Sequence, residues 1–226
     1  MKKLRIWVEA MRLRTLPVSL AGVMAGVAAA WAVPGHRTLP AVLCFVFALL
    51  AQIASNFANE YFDYKGGLDK AGREGPRRGV TEGDITPGSM YAATLATLAL
   101  ACAVGCTLIW WGGWWLVAVG VAIALGVLAY SAGPWPLSHH GMGEVAVVFF
   151  FGLIPVNFTY WLVSGQQPDA AVLLLSLAVG LMGANVLVVN NLRDRSDDAA
   201  VGKHTLAVLF GESFMVWLYL FDGVAA

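Results

Sequence analysis

Long apolar runs separated by short polar segments recur along almost the whole chain. Several runs approach the ~20 residues that an α-helix needs to cross the hydrocarbon core of a membrane. The runs are continuous and do not alternate with polar residues, which favours helices over the strands of a membrane barrel. The pattern predicts an all-α polytopic membrane protein with spans near residues 15–33, 40–58, 89–110, 115–133, 143–163 and 170–190.

A seventh apolar run begins near Ser213 and is cut short at Ala226. Only fourteen residues remain from Ser213, which gives about 21 Å of helix against a hydrocarbon core of ~30 Å. We therefore expect a single transmembrane domain over residues 1–226, truncated in or after its seventh helix. The first run has an alternative interpretation as a secretory signal. Its long charged lead, which includes Arg12 and Arg14, favours a retained helix.

Basic residues are distributed unequally between the two sides that these spans define. Thirteen of the fourteen Lys and Arg fall in the N-terminus or in the loops 59–88, 134–142 and 191–212, whereas the other side has only Arg37. Cytoplasmic loops collect Lys and Arg, so the N-terminus and these three loops are predicted to be cytoplasmic. Six of the nine tryptophans fall at the opposite ends of the spans, as expected of an interfacial belt.

Only 12% of the residues are charged, yet two short polar clusters follow the second and sixth spans. The clusters, within residues 59–69 and 190–203, hold six of the fourteen carboxylates. Ionisable groups at the edge of the hydrocarbon are costly, and this makes each cluster a candidate functional site. One acidic helix end could simply be neutralised by nearby Lys and Arg. Two such clusters on one side favour a function, with the two helix ends facing each other across a central cavity.

The spacing within the clusters predicts their chemistry. Residues four apart share one face of a helix, so Asn59 and Asp63 should stack along the second span, and the second cluster repeats this spacing. Asp69 follows the flexible Gly66-Gly67 pair and is expected to fold back toward the same place. Amide and carboxylate oxygens suit Mg²⁺, which also uses waters and substrate phosphates as ligands. The candidate metal ligands are Asn59, Asp63, Asp69, Asn190, Asp194 and Asp198.

Other chemistry has little support in the sequence. The histidines lack metal-ligand spacing and are interpreted as solvated loop residues; they are His36, His139, His140 and His204. We find no P-loop, dinucleotide-binding fingerprint or nucleophile elbow, and expect no nucleic-acid partner. A cation transporter and an inactive membrane subunit are the hypotheses from other classes. A transporter would more naturally place its acidic residues near the middle of the bilayer, at broken helices.

Two motifs resemble the aspartate motifs of the UbiA superfamily of intramembrane prenyltransferases. They are Asn59-x-x-x-Asp63-x-x-x-x-x-Asp69 and Asn191-x-Arg193-Asp194-x-x-x-Asp198-x-x-x-Gly202-Lys203-x-Thr205-Leu206. Shorter stretches are similar to the members that prenylate dihydroxynaphthoate in menaquinone synthesis. These are Arg14-Thr15-Leu16-Pro17, Gly75-Pro76-x-Arg78-Gly79, Gly83-x-Ile85-Thr86, and Gly141-x-Gly143-Glu144 before Phe149-Phe150-Phe151-Gly152. Glu60 stands where those bacterial enzymes usually carry Asp.

The resemblance implies a UbiA-like helical bundle whose C-terminal helices are missing from this chain, in the bacterial inner membrane. It implies Mg²⁺-dependent transfer of a polyprenyl group from polyprenyl diphosphate to dihydroxynaphthoate, with loss of CO₂. Another aromatic acid, 4-hydroxybenzoate or homogentisate, is the alternative acceptor, because acceptor choice depends on cavity shape. The implied catalytic residues are Asp63, Asp194 and Lys203. The implied substrate-binding residues are Asn59, Lys65, Arg77, Arg78 and Arg193, with Arg14 and Tyr130 for the aromatic acid.

Overall fold

The computed structural model describes residues 2–69 and 77–226, and within these ranges every regular element is helical. The helices are α1 Lys2–Ala10, α2 Leu16–Trp31, α3 Thr38–Lys65, α4 Pro87–Thr107, α5 Ile109–Gly112, α6 Leu116–Ser131, α7 Gly143–Val147, α8 Ile154–Ser164, α9 Ala170–Arg193, α10 Arg195–Ala200 and α11 Leu206–Ala225. A π-helical segment, Val148–Leu153, joins α7 to α8. Lys70, Arg73, Gly75 and Pro76, which entered the sequence interpretation, lie outside the described residues.

Six stretches of the described chain are long and apolar enough to cross a membrane, which confirms the prediction of a polytopic membrane protein. They are Lys3–Trp31, Thr38–Lys65, Pro87–Gly112, Gly143–Ser164, Ala170–Arg193 and Leu206–Ala225. The predicted span 115–133 is instead the shorter helix α6, whose 16 residues reach about 24 Å. Helix α6 begins one residue after the predicted start and ends at Ser131, because Ala132 adopts an extended backbone with φ −118° and ψ 163°.

The last helix begins at Leu206 and not near Ser213, because the Thr205 side chain caps it by accepting a hydrogen bond from the Val208 backbone N–H. At Gly211 the backbone leaves the helical conformation, with φ 81° and ψ −179°. This left-handed region favours glycine, which has no Cβ. The uninterrupted helical part of α11 therefore starts after Gly211, close to the predicted position.

Helix α3 is the longest element, with 28 residues and a length of about 42 Å. That length exceeds the ~30 Å thickness of the hydrocarbon core. The last turns of α3, which carry Asn59 and Asp63, can therefore extend past the apolar region while the rest of the helix spans it. Helix α9 is also long, with 24 residues, and it carries the second cluster to the same cavity as α3.

Glycines allow very close packing where the π-helical segment meets α2 and α9. A Cβ atom added at Gly152 would lie 2.4 Å from the Ser176 carbonyl oxygen and 2.5 Å from Gly180 Cα on α9. A Cβ added at Gly22 on α2 would lie 2.3 Å from the Phe151 carbonyl oxygen. Small residues let helix backbones approach in this way inside membranes. The three elements therefore form a tightly packed centre beside the polar cavity described below.

We expect Gly152→Ala to lower the free energy of unfolding by about 1–3 kcal/mol, because the new methyl group overpacks the contact with α9. Gly120→Ala on α6 is the matched control, since its Cβ would have no atom within 4 Å. Denaturant unfolding in detergent, followed by circular dichroism, measures both variants. Equal stability of the two would contradict the close helix contact.

Candidate functional site

A polar cavity of about 320 Å³ lies between the polar ends of α3 and α9. Among the described residues, five cationic side chains and three carboxylates line it, a formal balance of +2. They are Arg12, Arg14, Arg78, Arg193, Lys203, Asp63, Asp194 and Asp198. An excess of positive charge in a cleft attracts anionic ligands.

The structure brings ten of the predicted site residues to this cavity. They are Arg14, Asn59, Asp63, Arg78, Tyr130, Asn190, Arg193, Asp194, Asp198 and Lys203. Three others do not line it. Lys65 is exposed and lies 6.0 Å from the centre of the Tyr61 ring. Arg77 pairs with Asp84 and Glu9, and Asp69 is buried against Arg78.

The first cluster reaches the cavity on one continuous helix, whereas the second spans a break between two helices. Helix α3 is regular through Lys65, so Asn59 and Asp63 share one face as their spacing predicts. Helix α9 ends at Arg193, and Asp194 separates it from α10. Across this break, Asp194 N–H donates to the Asn190 carbonyl over 3.0 Å, and Asp198 N–H donates to the Asp194 carbonyl over 2.9 Å. These bonds preserve the helical spacing, so the side chains of Asn190, Asp194 and Asp198 all line the cavity.

Asp63 is the centre of the charged network, and its side chain is only 1% exposed. Lys203 Nζ donates to its Oδ2 atom over 3.0 Å, and Arg78 Nη2 lies 3.7 Å from the same oxygen. His139 Nε2 lies 3.3 Å from the Oδ1 atom. Burying an unpaired carboxylate is very costly. The three partners, which come from three separate loops, therefore make the burial of Asp63 possible.

Arg78 connects Asp63 with Asp69 and Asn59. Its Nε atom lies 3.2 Å from Asp69 Oδ2, and its Nη2 atom donates to Asn59 Oδ1 over 3.1 Å. The same amide oxygen accepts from Arg12 Nη2 over 2.9 Å, while Asn59 Nδ2 donates to Ser131 Oγ over 3.1 Å. Asn59 thus orients two guanidinium groups toward the cavity. Arg12 does so from a left-handed backbone, with φ 51°, which is uncommon for a residue other than glycine.

Glu60 faces away from the cavity, although it stands beside Asn59 in the sequence. Its side chain is fully buried, and Oε1 accepts from the Val80 backbone N–H over 3.0 Å. This bond ties the chain around Arg78 to α3. The Glu60 carboxylate therefore anchors this loop and is not one of the carboxylates that line the cavity.

The sequence interpretation missed several residues of the site. The prediction that His139 is solvated is wrong: its side chain is 13% exposed and contacts Asp63, because the loop after α6 folds over the end of α3. Arg12 and Glu144 were assigned no role, yet Glu144 is buried and accepts from Asn191 Nδ2 over 2.8 Å. The sequence feature that could have identified His139, Arg12 and Glu144 is their position on the predicted cytoplasmic side.

A second, apolar cavity of about 360 Å³ adjoins the polar one. It is bordered mainly by aliphatic and aromatic side chains of α3, α4, α6 and α8. The two cavities share four lining residues, Gln52, Ser55, Tyr130 and Phe151. A ligand with an anionic head and a long apolar tail would match this pair of cavities.

A helical membrane bundle with a charged cavity leading into an apolar one is the arrangement expected of an intramembrane enzyme acting on lipid-like diphosphates. Residues 19–226 match the profile of the UbiA prenyltransferase family. The chain belongs to this family.

Named relatives and solved structures agree with that assignment. Over 218 residues the chain is 37% identical to 1,4-dihydroxy-2-naphthoate octaprenyltransferase of Haemophilus influenzae, covering 93% of this chain and 70% of the relative. The protein of the same name from Mycobacterium tuberculosis is 38% identical over 216 residues, covering 94% of this chain and 72% of the relative. A UbiA homolog from Archaeoglobus fulgidus, solved with GPP and Mg²⁺, superimposes with a TM-score of 0.73 at 15% identity, covering 97% of this chain and 75% of that one. The last comparison shows a common fold.

We expect Arg78→Met to lower the free energy of unfolding by about 3 kcal/mol, because it leaves buried Asp69 and Asp63 without one cationic partner. Arg77→Met is the matched control, since Arg77 is about half exposed and its ion pairs are at the surface. Its effect should stay within about 0.5 kcal/mol. Chemical unfolding of both purified variants distinguishes them, and a larger loss in Arg77→Met would contradict this description of the network.

Proposed function

We propose that this protein transfers a polyprenyl group from polyprenyl diphosphate to 1,4-dihydroxy-2-naphthoate, with loss of CO₂, to give demethylmenaquinol. Three relatives that carry the naphthoate octaprenyltransferase name are 37–38% identical to the chain over most of its length, and this supports the choice of acceptor. The observation that carries the proposal is the junction of a positively charged cavity with an apolar cavity of similar volume.

The donor would occupy both cavities. Its diphosphate would lie in the polar cavity, where Arg78, Arg193 and Lys203 supply positive charge and hydrogen-bond donors. Its polyprenyl tail would lie in the apolar cavity between α3, α4, α6 and α8. The residues shared at the junction, which include Tyr130 and Phe151, would then lie close to the reacting carbon.

The chemistry of the lining residues fits Mg²⁺. Asp63, Asp194, Asp198 and Asn190 present hard oxygen donors to one cavity. Among the described residues, no three acidic, His or Cys side chains already form a metal cluster. Mg²⁺ commonly binds through one or two carboxylates and completes its coordination with waters and substrate phosphates. Asn59 and Asp69 would add donors if Arg78 exchanged its contacts with them for diphosphate oxygens.

The reaction requires the bond between the allylic carbon and the diphosphate oxygen to break, with the electron pair leaving on diphosphate. Arg78, Arg193 and Lys203 would stabilise that leaving charge by preorganised hydrogen bonds. A bound Mg²⁺ would supply further Lewis-acid neutralisation of the diphosphate. The ring carbon that bears the carboxylate would then attack the allylic cation, and loss of CO₂ would return its electron pair to the ring. Arg14 and Tyr130 line the same cavity and are proposed to hold the aromatic acid.

The proposed location is the bacterial inner membrane, with the N-terminus and both aspartate motifs on the cytoplasmic side. The asymmetry of thirteen basic residues against Arg37 supports this orientation. This orientation would place the polar cavity, with the diphosphate head of the donor, on the cytoplasmic side. The apolar cavity would lie within the bilayer.

The proposal is tested by prenyl transfer in membranes that contain the chain, supplied with a polyprenyl diphosphate, with Mg²⁺ or with EDTA. Dihydroxynaphthoate and 4-hydroxybenzoate are offered in parallel. The expected result is Mg²⁺-dependent product and CO₂ release with dihydroxynaphthoate alone. Product from 4-hydroxybenzoate alone would keep the class of reaction and refute the proposed acceptor.

Within that assay, we expect Asp63→Ala and Asp194→Ala each to lower turnover by about 100-fold or more, because each removes a carboxylate that is proposed to bind Mg²⁺ at the diphosphate site. Asp169→Asn at the opposite end of α9 is the matched control. Asn keeps the capping interaction that Asp169 makes with the Val172 N–H. Comparable membrane levels of all variants must be verified by immunoblot. Wild-type rates in both Asp63→Ala and Asp194→Ala would refute this site.

A further inference from the structure

Different groups contact the two oxygens of Asp63. Lys203 Nζ is 3.0 Å from Oδ2, and His139 Nε2 is 3.3 Å from Oδ1. Lys203 belongs to the second aspartate motif, whereas His139 belongs to no motif identified from the sequence. A carboxylate oxygen has two lone-pair sites. The Oδ1 atom therefore keeps a lone pair beside its contact with His139, whereas Oδ2 also lies 3.7 Å from Arg78 Nη2.

The loop that carries His139 is fixed by contacts of its own. Ser138 Oγ donates to the Tyr130 carbonyl over 2.6 Å, which ties the loop to the end of α6. His140 Nδ1 lies 2.9 Å from the Pro136 carbonyl, and its ring stacks on Trp135 with 4.6 Å between ring centres. The two adjacent histidines thus have different roles. His140 braces the loop internally, and His139 contacts the carboxylate.

The loop that carries Lys203 is bonded to the same structure. The His204 backbone N–H donates to the His139 carbonyl over 2.9 Å. Gly141 lies against this second loop: a Cβ at Gly141 would be 3.5 Å from the His204 carbonyl oxygen and 3.2 Å from Leu206 Cδ2. The imidazole and the ammonium group therefore reach Asp63 from two loops that are joined directly to each other.

We infer that His139 is a positioning residue for Asp63: its Nε2–H fixes the carboxylate so that the remaining lone pairs point into the polar cavity. A neutral imidazole protonated on Nε2 is sufficient, since the role is to donate one hydrogen bond. This inference rests on the proposed function, because the oriented carboxylate would act on the Mg²⁺–diphosphate head of the donor. Groups that orient a metal ligand in this way typically contribute 10–100-fold to metal affinity or activity.

The test compares His139→Ala with His204→Ala in the purified full chain in lipid nanodiscs. We expect His139→Ala to raise the Mg²⁺ concentration for half-maximal prenyl transfer by about 10-fold or more, with the KM for the aromatic acceptor unchanged. His204→Ala should leave the Mg²⁺ dependence unchanged, because the His204 side chain is exposed and its backbone N–H, which bonds to the His139 carbonyl, is kept. His139→Gln should recover part of the loss, because its amide N–H can donate from nearly the same distance along the side chain.

A second readout does not depend on turnover. Mn²⁺ binding in the presence of inorganic diphosphate, followed by the electron paramagnetic resonance signal of free Mn²⁺, should weaken in His139→Ala by a similar factor. Unchanged Mg²⁺ dependence and unchanged Mn²⁺ affinity in this variant would overturn the inference. An equal loss in His204→Ala would also overturn it, since a general disturbance of the two joined loops would then explain the effect. Absence of Mg²⁺-dependent transfer in the wild-type chain would refute the proposed function instead, while the Mn²⁺ measurement would still report on His139.

Discussion

The ionic contacts of Asp63 determine how the polar end of this bundle is built. A carboxylate with 1% exposure at the end of a membrane helix is tolerable only with close partners, because removing an ion from water costs several kcal/mol. Those partners come from three loops that are distant in sequence, through Arg78, His139 and Lys203. Satisfying one buried carboxylate therefore brings three loops over the end of α3, where they border the polar cavity.

The same arrangement suits the amphipathic donor proposed for this chain. Cations that compensate Asp63 and Asp69 within the protein also give the polar cavity its formal balance of +2. The apolar cavity adjoins it through Tyr130 and Phe151, and the π-helical segment that carries Phe151 packs closely on α2 and α9 through glycines. In the proposed complex, the charged residues of the polar cavity would hold the head of the donor, and the apolar cavity would hold its tail.

The sequence was sufficient where the signal is local. Apolar runs predicted five of the six long spans near their observed positions, and the four-residue spacing predicted that Asn59 and Asp63 share a face of α3. It was insufficient where position depends on distant parts of the chain. Nothing near His139 indicates that its loop bonds to the backbone of His204, and nothing near Arg12 indicates a left-handed backbone that reaches Asn59. Similarly, the start of α11 depends on a cap at Thr205 and a break at Gly211, which hydropathy does not detect.

The most direct test of the account is equilibrium binding of a prenyl diphosphate to the purified chain, measured calorimetrically with a non-reactive thiolo-diphosphate analogue. The account predicts binding that requires Mg²⁺, is competed by inorganic diphosphate and is lost in EDTA. It also predicts that the prenyl alcohol, which lacks the anionic head, binds much more weakly. Equal affinity with Mg²⁺ and with EDTA, or equal affinity for the alcohol and the diphosphate, would contradict the central claim that the two clusters form one metal-dependent diphosphate site.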